Sequence, residues 1–283
     1  MTWPEADQVS GLFLYVHLRI EFERVTAVQY NCSMDTTKRF VWTVCYRVTM
    51  GMTTLSSAVF LMFTTPILFP WRDRVVDATM KVWARISLAS ANAKVVTHGL
   101  DHVPESPPYI IAFNHQSDLD IFALVEGLPQ PYRAVMKQEM MYYPVVGWVI
   151  YFLGFVPIDR RNLGRAVQSL KRAARMFHRF PYIMAITGTR VRNRDFLRVK
   201  LKKGPVVTAI QHKVPILPVT IIGADDVHVK GIGLINPGRT IELVVHPLMD
   251  SGGRGVDERD AWLAELREVL AGPLLERRII DGE

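Results

Sequence analysis

The pattern of apolar and polar residues divides the chain into an apolar first third and a regularly alternating remainder. Residues 48–71 carry no charged side chain over about 24 positions, although five Thr and two Ser dilute the stretch and Pro66 and Pro70 interrupt it. About 20 apolar residues suffice for a helix that crosses a bilayer. Three interpretations therefore remain open: a helix inserted in one leaflet or at the interface, a true membrane span, or a core helix of a soluble protein.

The segments on either side of this stretch differ in character. Residues 1–33 show no clear apolar period, and Met34 opens a more ordinary start, near which we expect the native protein to begin. Glu5 and Asp7 stand where a secretory signal would carry positive charge, so no such signal is expected. Residues 75–93 mix apolar and polar positions as an amphipathic helix does.

From residue 94 onward, short runs rich in apolar and β-branched residues alternate with helical patterns. This alternation predicts an α/β domain with a largely buried sheet. We expect three segments: a poorly defined extension over 1–40, a membrane-associated helical segment over 41–93, and the α/β domain over 94–283. The predicted strands are 94–97, 109–113, 132–136, 155–158, 182–186, 216–222 and 240–245, and the predicted helices are 121–127, 144–152, 164–180 and a surface-packed C-terminal helix over 256–270.

Composition narrows the classes of partner. The chain has a formal charge of +7, and 49% of its residues are hydrophobic, which excludes low-complexity disorder. A basic, apolar protein suits an anionic partner such as a membrane surface, a phosphorylated substrate or nucleic acid. Cys32 and Cys45 have neither zinc-ligand nor disulfide-framework spacing, so we expect no metal site and a reducing compartment.

The chemistry-bearing pattern begins where the strand 109–113 ends. Asn114 and His115 follow it directly, and Asp120 lies five residues beyond the histidine, at the start of a predicted helix. Ends of strands are where α/β folds place their chemistry. His115 is a suitable general base, and Asp120 could accept from its other ring nitrogen. The same spacing is also typical of a capping turn that carries a surface histidine.

Three further blocks follow in order. Lys137 comes after the strand 132–136, and the second block, Gly-Phe-Val-Pro-Ile-Asp-Arg-Arg, places Arg160 beside Arg161. Adjacent guanidinium groups can bind a phosphate, although an ion pair with the neighbouring aspartate is an alternative. The third block is Thr187-Gly188-Thr189-Arg190, and the apolar fourth block, 214–219, predicts a buried strand that lines or supports the site.

These blocks, in this order and spacing, resemble the 1-acyl-sn-glycerol-3-phosphate acyltransferase family over about residues 94–250. The resemblance implies a glycerolipid-acyltransferase-like sheet flanked by helices. It implies that His115 deprotonates an acceptor hydroxyl, which attacks an acyl thioester directly, with Asp120 in support. It further implies substrate contacts from the residues of the four blocks: Asn114, Lys137, Arg160, Thr187, Gly188, Thr189 and Arg190. No covalent acyl-enzyme is expected, so Ser117 is interpreted as a helix cap.

The third block departs from the family pattern, which has glutamate where this chain has Thr187. Three interpretations follow: a natural variant with a different acceptor, a weakened or inactive membrane-binding relative, or an altered sequence. The loss of a positioning charge can remove orders of magnitude of rate. A hydrolase is disfavoured, because the chain carries no Gly-x-Ser-x-Gly elbow.

The family resemblance implies lysophosphatidic acid as acceptor, phosphatidic acid as product, and acyl-CoA or acyl-carrier protein as donor, with no separate cofactor. Another lysolipid or an amino-lipid is the alternative acceptor. We expect a membrane-associated protein on the cytoplasmic face of the inner or plasma membrane. Nucleic-acid binding is disfavoured, since no recognition motif is present. Basic residues cluster in two places, either as solvated faces or as contacts for anionic groups: 161–179 and 192–203.

Overall fold

A computed structural model of the chain describes residues 36–159, 164, 168–169, 178–228 and 233–280. From Thr36 onward the chain forms one compact unit. Seven helices of the described residues are labelled in chain order: α1 Thr36–Ile67, α2 Arg72–Ser90, α3 Asp120–Gly127, α4 Val146–Phe152, α5 Gly204–His212, α6 Ala224–Val227 and α7 Arg259–Glu276. Short 3₁₀ segments lie at Phe69–Trp71, Leu100–His102, Gln138–Tyr142, Asn193–Arg198 and Val256–Glu258.

The strands form a single mixed sheet. Their bounds are β1 Lys94–His98, β2 Ile110–Phe113, β3 Arg133–Lys137, β4 Val156–Ile158, β5 Tyr182–Ala185, β6 Ile216–Ile222 and β7 Thr240–Val245, in the order β1-β7-β6-β2-β5-β3-β4. β4, β3, β5, β2 and β6 run in one direction, and β7 and β1 run in the other. The carboxyl ends of the central strands β2, β5 and β6 therefore meet at one edge of the sheet.

The two faces of the sheet are covered by different helices. Alternate residues of β2 point to opposite sides: Ile111 and Phe113 join the core cluster that includes α1 to α4, whereas Ile110 and Ala112 join the cluster that includes α5 and α7. β6 is buried along its whole length, as expected for a strand near the middle of a covered sheet. The predicted α/β fold with flanking helices is confirmed.

The apolar segment is longer than the uncharged stretch that predicted it. Helix α1 spans 32 residues and begins at Thr36, since its first turns accommodate Lys38 and Arg39. It ends one residue after Pro66. Length and composition make α1 able to cross a membrane, and only 17% of its most apolar window is buried. The interpretation as a core helix of a soluble protein is therefore wrong.

One side of α1 packs on the rest of the unit. Trp83 on α2 donates to the Thr54 hydroxyl at 3.2 Å, and Thr43 accepts from the Ile235 amide at 2.9 Å. Large apolar side chains on its other sides are exposed and continue onto the turn that follows: Phe40, Met52, Leu55, Phe60, Phe63, Ile67, Phe69 and Trp71. The amphipathic pattern over 75–93 corresponds to α2, which buries Val76, Met80, Ala84 and Leu88.

The remaining predicted elements differ mainly at their ends. The helix expected over 164–180 lies largely outside the described residues. Three residues of this range that are described, Gly164, Gln168 and Ser169, are helical. The C-terminal helix begins at Arg259, after the 3₁₀ turn Val256–Glu258, and continues to Glu276. It runs six residues past the predicted end because Leu274 and its neighbours bury a further turn against the sheet.

Candidate active site

The loop Asn114–Leu119, here called the histidine loop, leaves the carboxyl end of β2 and leads into α3. Asn114 is buried, and its side chain continues the pairing of β2 with β6 beyond the end of the strand. Its Oδ1 accepts from the Ile221 amide at 2.7 Å, and its Nδ2 donates to the Ile221 carbonyl at 2.9 Å. The residue before His115 is thereby fixed to the central strand of the sheet.

A second amide side chain, Asn193, holds both neighbours of His115. The Asn193 Oδ1 accepts from Asn114 Nδ2 at 2.8 Å and from Gln116 Nε2. Gln116 Nε2 also donates to the Ile221 carbonyl. Neither Asn193 nor Gln116 is predicted from the sequence as part of the site. Asn193 lies among arginines in a segment that resembles a solvated surface, and no spacing links it to His115.

His115 and Asp120 form a hydrogen-bonded dyad. The His115 Nδ1 lies 2.7 Å from Asp120 Oδ2, and a carboxylate can only accept, so Nδ1–H donates. The same oxygen accepts from the amides of Gln116 at 2.7 Å and Ser117 at 3.0 Å. This tautomer leaves Nε2 of the partly exposed imidazole with its lone pair, which is the form required of a general base.

Asp120 is completely buried, while His115 keeps 23% of its side chain exposed. Burial raises the pKa of the Asp120 carboxyl, and the hydrogen bonds from His115, Ser117 and Gln116 oppose that rise. The second oxygen, Oδ1, has no hydrogen-bond partner in the described part of the chain. A carboxylate so poorly solvated gains strongly from a cationic neighbour, so this arrangement can stabilise an imidazolium at His115.

Ser117 was predicted to cap α3, but it does not. The helix begins at Asp120, and its N-cap residue, Leu119, makes no side-chain capping bond. Instead, the Ser117 hydroxyl accepts from the Leu119 amide at 3.3 Å and lies 3.5 Å from the His228 carbonyl. The carboxylate of Asp120 takes the loop amides that a capping serine would otherwise take. The serine therefore braces the histidine loop internally.

The residues Ile186–Arg190 form the third-block loop, which leaves β5 beside the histidine loop. Thr187 is buried, and its hydroxyl donates to the Thr189 carbonyl at 2.7 Å. Gly188 has a φ of +67°, and a Cβ there would lie 2.7 Å from the Cγ of Lys202, so glycine is required on both counts. Thr187 closes its own loop and leaves Gly188-Thr189-Arg190 at the surface.

The two loops are joined at three points. The Ile186 amide donates to the Phe113 carbonyl at 3.1 Å, and the Val191 amide donates to the His115 carbonyl at 2.7 Å. Arg190 Nη1 donates to Asp118 Oδ2 at 2.6 Å. The structure thus brings together seven residues of the predicted site: Asn114, His115, Asp120, Thr187, Gly188, Thr189 and Arg190.

The other predicted contacts lie apart from this group or outside the described residues. Lys137 stands at the carboxyl end of β3, is half exposed, and forms an ion pair with Glu139 at 3.2 Å. Arg160, and most of the basic cluster 161–179, lie outside the described residues. The described residues contain no cluster of side chains suited to a metal ion.

The fourth block has a supporting role in this geometry. Its residues lead into and form the buried strand β6, whose Ile221 carbonyl and amide hold the histidine loop. Beyond β6, Asp225 accepts from the Asn193 amide at 3.4 Å, and its own amide donates to Gln116 Oε1 at 3.4 Å. Burial, together with the charge of Asp226, raises the pKa of Asp225 to about 6.

Comparison with known proteins agrees with this architecture. The family model described as Acyltransferase matches residues 94–222. A 1-acyl-sn-glycerol-3-phosphate acyltransferase of Borreliella burgdorferi is 30% identical over 177 residues, which cover 60% of this chain and 68% of that protein. The chain belongs to the 1-acyl-sn-glycerol-3-phosphate acyltransferase family. The resemblance inferred from the four blocks is confirmed.

Two plant members of this acyltransferase family are longer than this chain. The chloroplastic 1-acyl-sn-glycerol-3-phosphate acyltransferase BAT2 of Brassica napus is 29% identical over 209 residues, which cover 72% of this chain and 59% of that protein. The chloroplastic LPAT1 of Arabidopsis thaliana is 30% identical over 186 residues, which cover 62% of this chain and 49% of that protein. The chain therefore spans about half to three fifths of the length of these relatives.

The fold also matches a solved structure. The crystal structure of the 1-acyl-sn-glycerophosphate (LPA) acyltransferase PlsC from Thermotoga maritima superposes with a TM-score of 0.73 at 22% identity. The match covers 88% of this chain and 100% of that one. It therefore includes the helices that precede the sheet, as well as the sheet itself.

Proposed function

We propose that this acyltransferase-family protein transfers an acyl chain from a thioester to lysophosphatidic acid, making phosphatidic acid. The observation that carries the proposal is the His115–Asp120 dyad, with its buried carboxylate and its free Nε2, at the sheet edge shared with the third-block loop. Relatives from bacteria and plants are named for this acceptor.

In the proposed reaction, His115 Nε2 takes the proton from the acceptor hydroxyl as its oxygen attacks the thioester carbonyl carbon. The new ester C–O bond forms, the C–S bond breaks, and the proton on the imidazolium passes to the departing thiolate. Asp120 stabilises the imidazolium between these two transfers. No side chain becomes acylated, and Ser117, whose hydroxyl lies within its own loop, takes no part in the transfer.

The phosphate of the acceptor is assigned to cationic side chains near the dyad. Arg190 is 35% exposed and joined to the histidine loop, so its guanidinium can bind a phosphate close to His115. Lys137 can contribute from the end of β3, and the family motif assigns a similar role to Arg160. Asn114 holds the loop in place, because its side-chain oxygen and nitrogen are both bonded to Ile221.

The apolar surface of α1 and the turn after it supports association with a membrane, from which the lipid acceptor would enter. We place the site at the cytoplasmic face, where acyl-CoA or acyl-carrier protein is the thioester donor. The basic residues of 192–203 lie next to the third-block loop and suit the phosphates of either donor. Arg194 and Lys202 belong to this stretch.

A different acceptor within the same reaction class is the second candidate, and Thr187 is the observation that favours it. The family pattern places a carboxylate there, whereas this chain has a buried hydroxyl bonded within its own loop. A change of charge at an acceptor site changes which head group binds best.

The test is transfer of a labelled acyl group from a thioester to a panel of acceptors: lysophosphatidic acid, other lysophospholipids and an amino-lipid. Formation of phosphatidic acid at the highest kcat/KM supports the proposal, whereas a preference for another acceptor identifies the second candidate. Membrane binding without transfer to any acceptor would make the chain a silent relative.

A further inference from the structure

Asp118 is the point at which the histidine loop meets the side chain of Arg190. Its Oδ2 accepts from Arg190 Nη1 at 2.6 Å, a short charge-assisted hydrogen bond. Asp118 keeps 57% of its side chain exposed, and Arg190 keeps 35% exposed. The pair therefore lies at the surface of the site rather than in the core.

The position of Asp118 in the chain determines where this bond holds Arg190. It lies between His115 and Asp120, both of which are fixed by the dyad and by the amides of the loop. A guanidinium held by Asp118 is consequently held at a set distance from the catalytic base. The backbone bond from Val191 to the His115 carbonyl restrains the same segment one residue further on.

The third-block loop has no acidic side chain of its own that could orient Arg190. Its first polar residue is Thr187, which is buried and donates to Thr189 within the loop. The alkyl chain of Lys202 lies against Gly188. The carboxylate that meets Arg190 comes instead from the neighbouring loop.

Other groups around Asp118 leave it available to Arg190. His228 Nδ1 is 3.9 Å from the same carboxylate oxygen, and burial lowers the pKa of His228, so it is neutral near pH 7. Tyr46 on α1 packs against the His228 ring at 6.2 Å between centroids. Of the two partners that the described residues place near Asp118, Arg190 is therefore the stronger at neutral pH.

We propose that Asp118 is a positioning residue that orients the Arg190 guanidinium toward the phosphate of the acceptor. It provides from the histidine loop the carboxylate that position 187 lacks. The inference rests on the proposed function, since it assigns a role in binding the acceptor of that reaction. It concerns affinity for the acceptor rather than the proton transfers at His115.

The test compares Asp118→Asn and Asp118→Glu with wild type in steady-state kinetics, varying acceptor and thioester separately. For Asp118→Asn we expect KM for lysophosphatidic acid to rise about tenfold, while kcat and the thioester KM change less than about threefold. Asp118→Glu keeps the carboxylate, so its KM for lysophosphatidic acid should be no more than about threefold above that of wild type. In an Arg190→Gln background, Asp118→Asn should have no further effect on KM.

Glu265→Gln is the matched control. Glu265 is 47% exposed and pairs with Arg254 at 3.0 Å, so the variant loses a surface ion pair away from the histidine loop. The control should leave both KM values unchanged. An acceptor KM that is unchanged or lower in Asp118→Asn would overturn the inference, because Asp118 would then be neutral or merely screen Arg190.

Equilibrium binding of lysophosphatidic acid in detergent separates this inference from the proposed function. If wild type transfers no acyl group to lysophosphatidic acid, the proposed function fails. The inference is then decided by binding alone: a Kd about tenfold weaker in Asp118→Asn supports it. An equal Kd in wild type and Asp118→Asn contradicts it.

Discussion

The histidine loop and the third-block loop leave adjacent strands at the same edge of the sheet, yet they are held in different ways. The histidine loop is anchored by groups from distant segments. These are the Asn193 side chain, 77 residues beyond Gln116, and the Ile221 backbone, 105 residues beyond it. The third-block loop is closed by a bond within itself, from Thr187 to Thr189. Two backbone bonds and the Arg190–Asp118 pair also join it to β2 and the histidine loop, and the Lys202 amide donates to the Ile186 carbonyl at 2.6 Å.

This difference separates two tasks. A general base must keep one orientation through both proton transfers, and a network of buried amides provides that rigidity. A loop that binds a head group needs exposed donors and can tolerate a change of composition. Under the proposed function, Thr187 in place of the family glutamate is a change in the loop assigned to the acceptor, while the dyad assigned to proton transfer is unchanged.

The largest expected effect comes from removing the charge of Asp120, the hydrogen-bond partner of His115 Nδ1. Asp120→Asn should lower kcat about 10³-fold, because an amide neither stabilises the imidazolium nor fixes the tautomer with a free Nε2. The acceptor KM should stay within about threefold. Steady-state kinetics, with thermal unfolding as a check on folding, measures both. A kcat within tenfold of wild type would show that the carboxylate is not part of the mechanism.

Thr187→Glu, which places the family carboxylate in the third-block loop, should act mainly by lowering the stability of the fold. Thr187 is only 2% exposed, so Thr187→Glu buries a charge or opens the loop, and the free energy of unfolding should fall by about 2–4 kcal/mol. Thr187→Ser keeps the hydroxyl and should cost less than about 1 kcal/mol. Urea unfolding in detergent compares the two. Full stability of Thr187→Glu with raised activity would mean that the loop readily accepts a carboxylate.

Two largely buried groups predict opposite pH effects on stability: Asp225, which supports the histidine loop, and His246, which contacts Thr220 on β6. The pKa of Asp225 is raised to about 6, so its contribution to stability is lost as pH rises from about 4 to 6, by about 3 kcal/mol. Burial lowers the pKa of His246 to about 4, so its contribution of similar size is lost as pH falls from about 6.5 to 4.

These two contributions nearly offset each other in wild type, and single variants should expose them. Asp225→Asn leaves the histidine effect, so its unfolding free energy should increase with pH relative to that of wild type between about 4 and 6. His246→Gln, which can keep a hydrogen bond to Thr220, should show the reverse slope. Unfolding curves at several pH values test this, and parallel slopes in both variants would contradict it.

The smallest of these effects is expected from substituting Asn193, which anchors the histidine loop. Asn193→Ala removes the acceptor shared by Asn114 and Gln116, so His115 loses restraint on both sides, and kcat should fall about 10- to 100-fold. Asn236→Ala is the control, since Asn236 is also buried and donates to the Asp226 carbonyl at 2.7 Å. Both variants should lose about 1–3 kcal/mol of stability. An equal loss of kcat in both would reduce Asn193 to a structural residue.

The sequence was informative where chemistry is local. The apolar runs located every strand to within one residue at either end, because each strand is bounded by turn residues or charges. His115 and Asp120 could be paired from their spacing across one turn. The start of α1 was predicted too late, because Lys38, Arg39 and Arg47 resemble a boundary, although a helix tolerates them at its exposed end.

Long-range contacts explain what the sequence could not predict. Asn193, Gln116 and Asp225 become functional only when the ends of β2, β5 and β6 meet, and amides and carboxylates in polar segments resemble ordinary surface residues. Ser117 was interpreted as a cap from its place before a helix, yet Asp120 takes the loop amides instead. Both kinds of residue depend on geometry that no short motif encodes.

The most direct measurement of the central claim is acyl transfer by His115→Ala. Wild type and the variant, both shown to be folded, are given a labelled thioester and lysophosphatidic acid in detergent. The account predicts labelled phosphatidic acid from wild type and a rate at least about 10³-fold lower from the variant, with no acylated protein in either. Transfer by His115→Ala at close to the wild-type rate would contradict it.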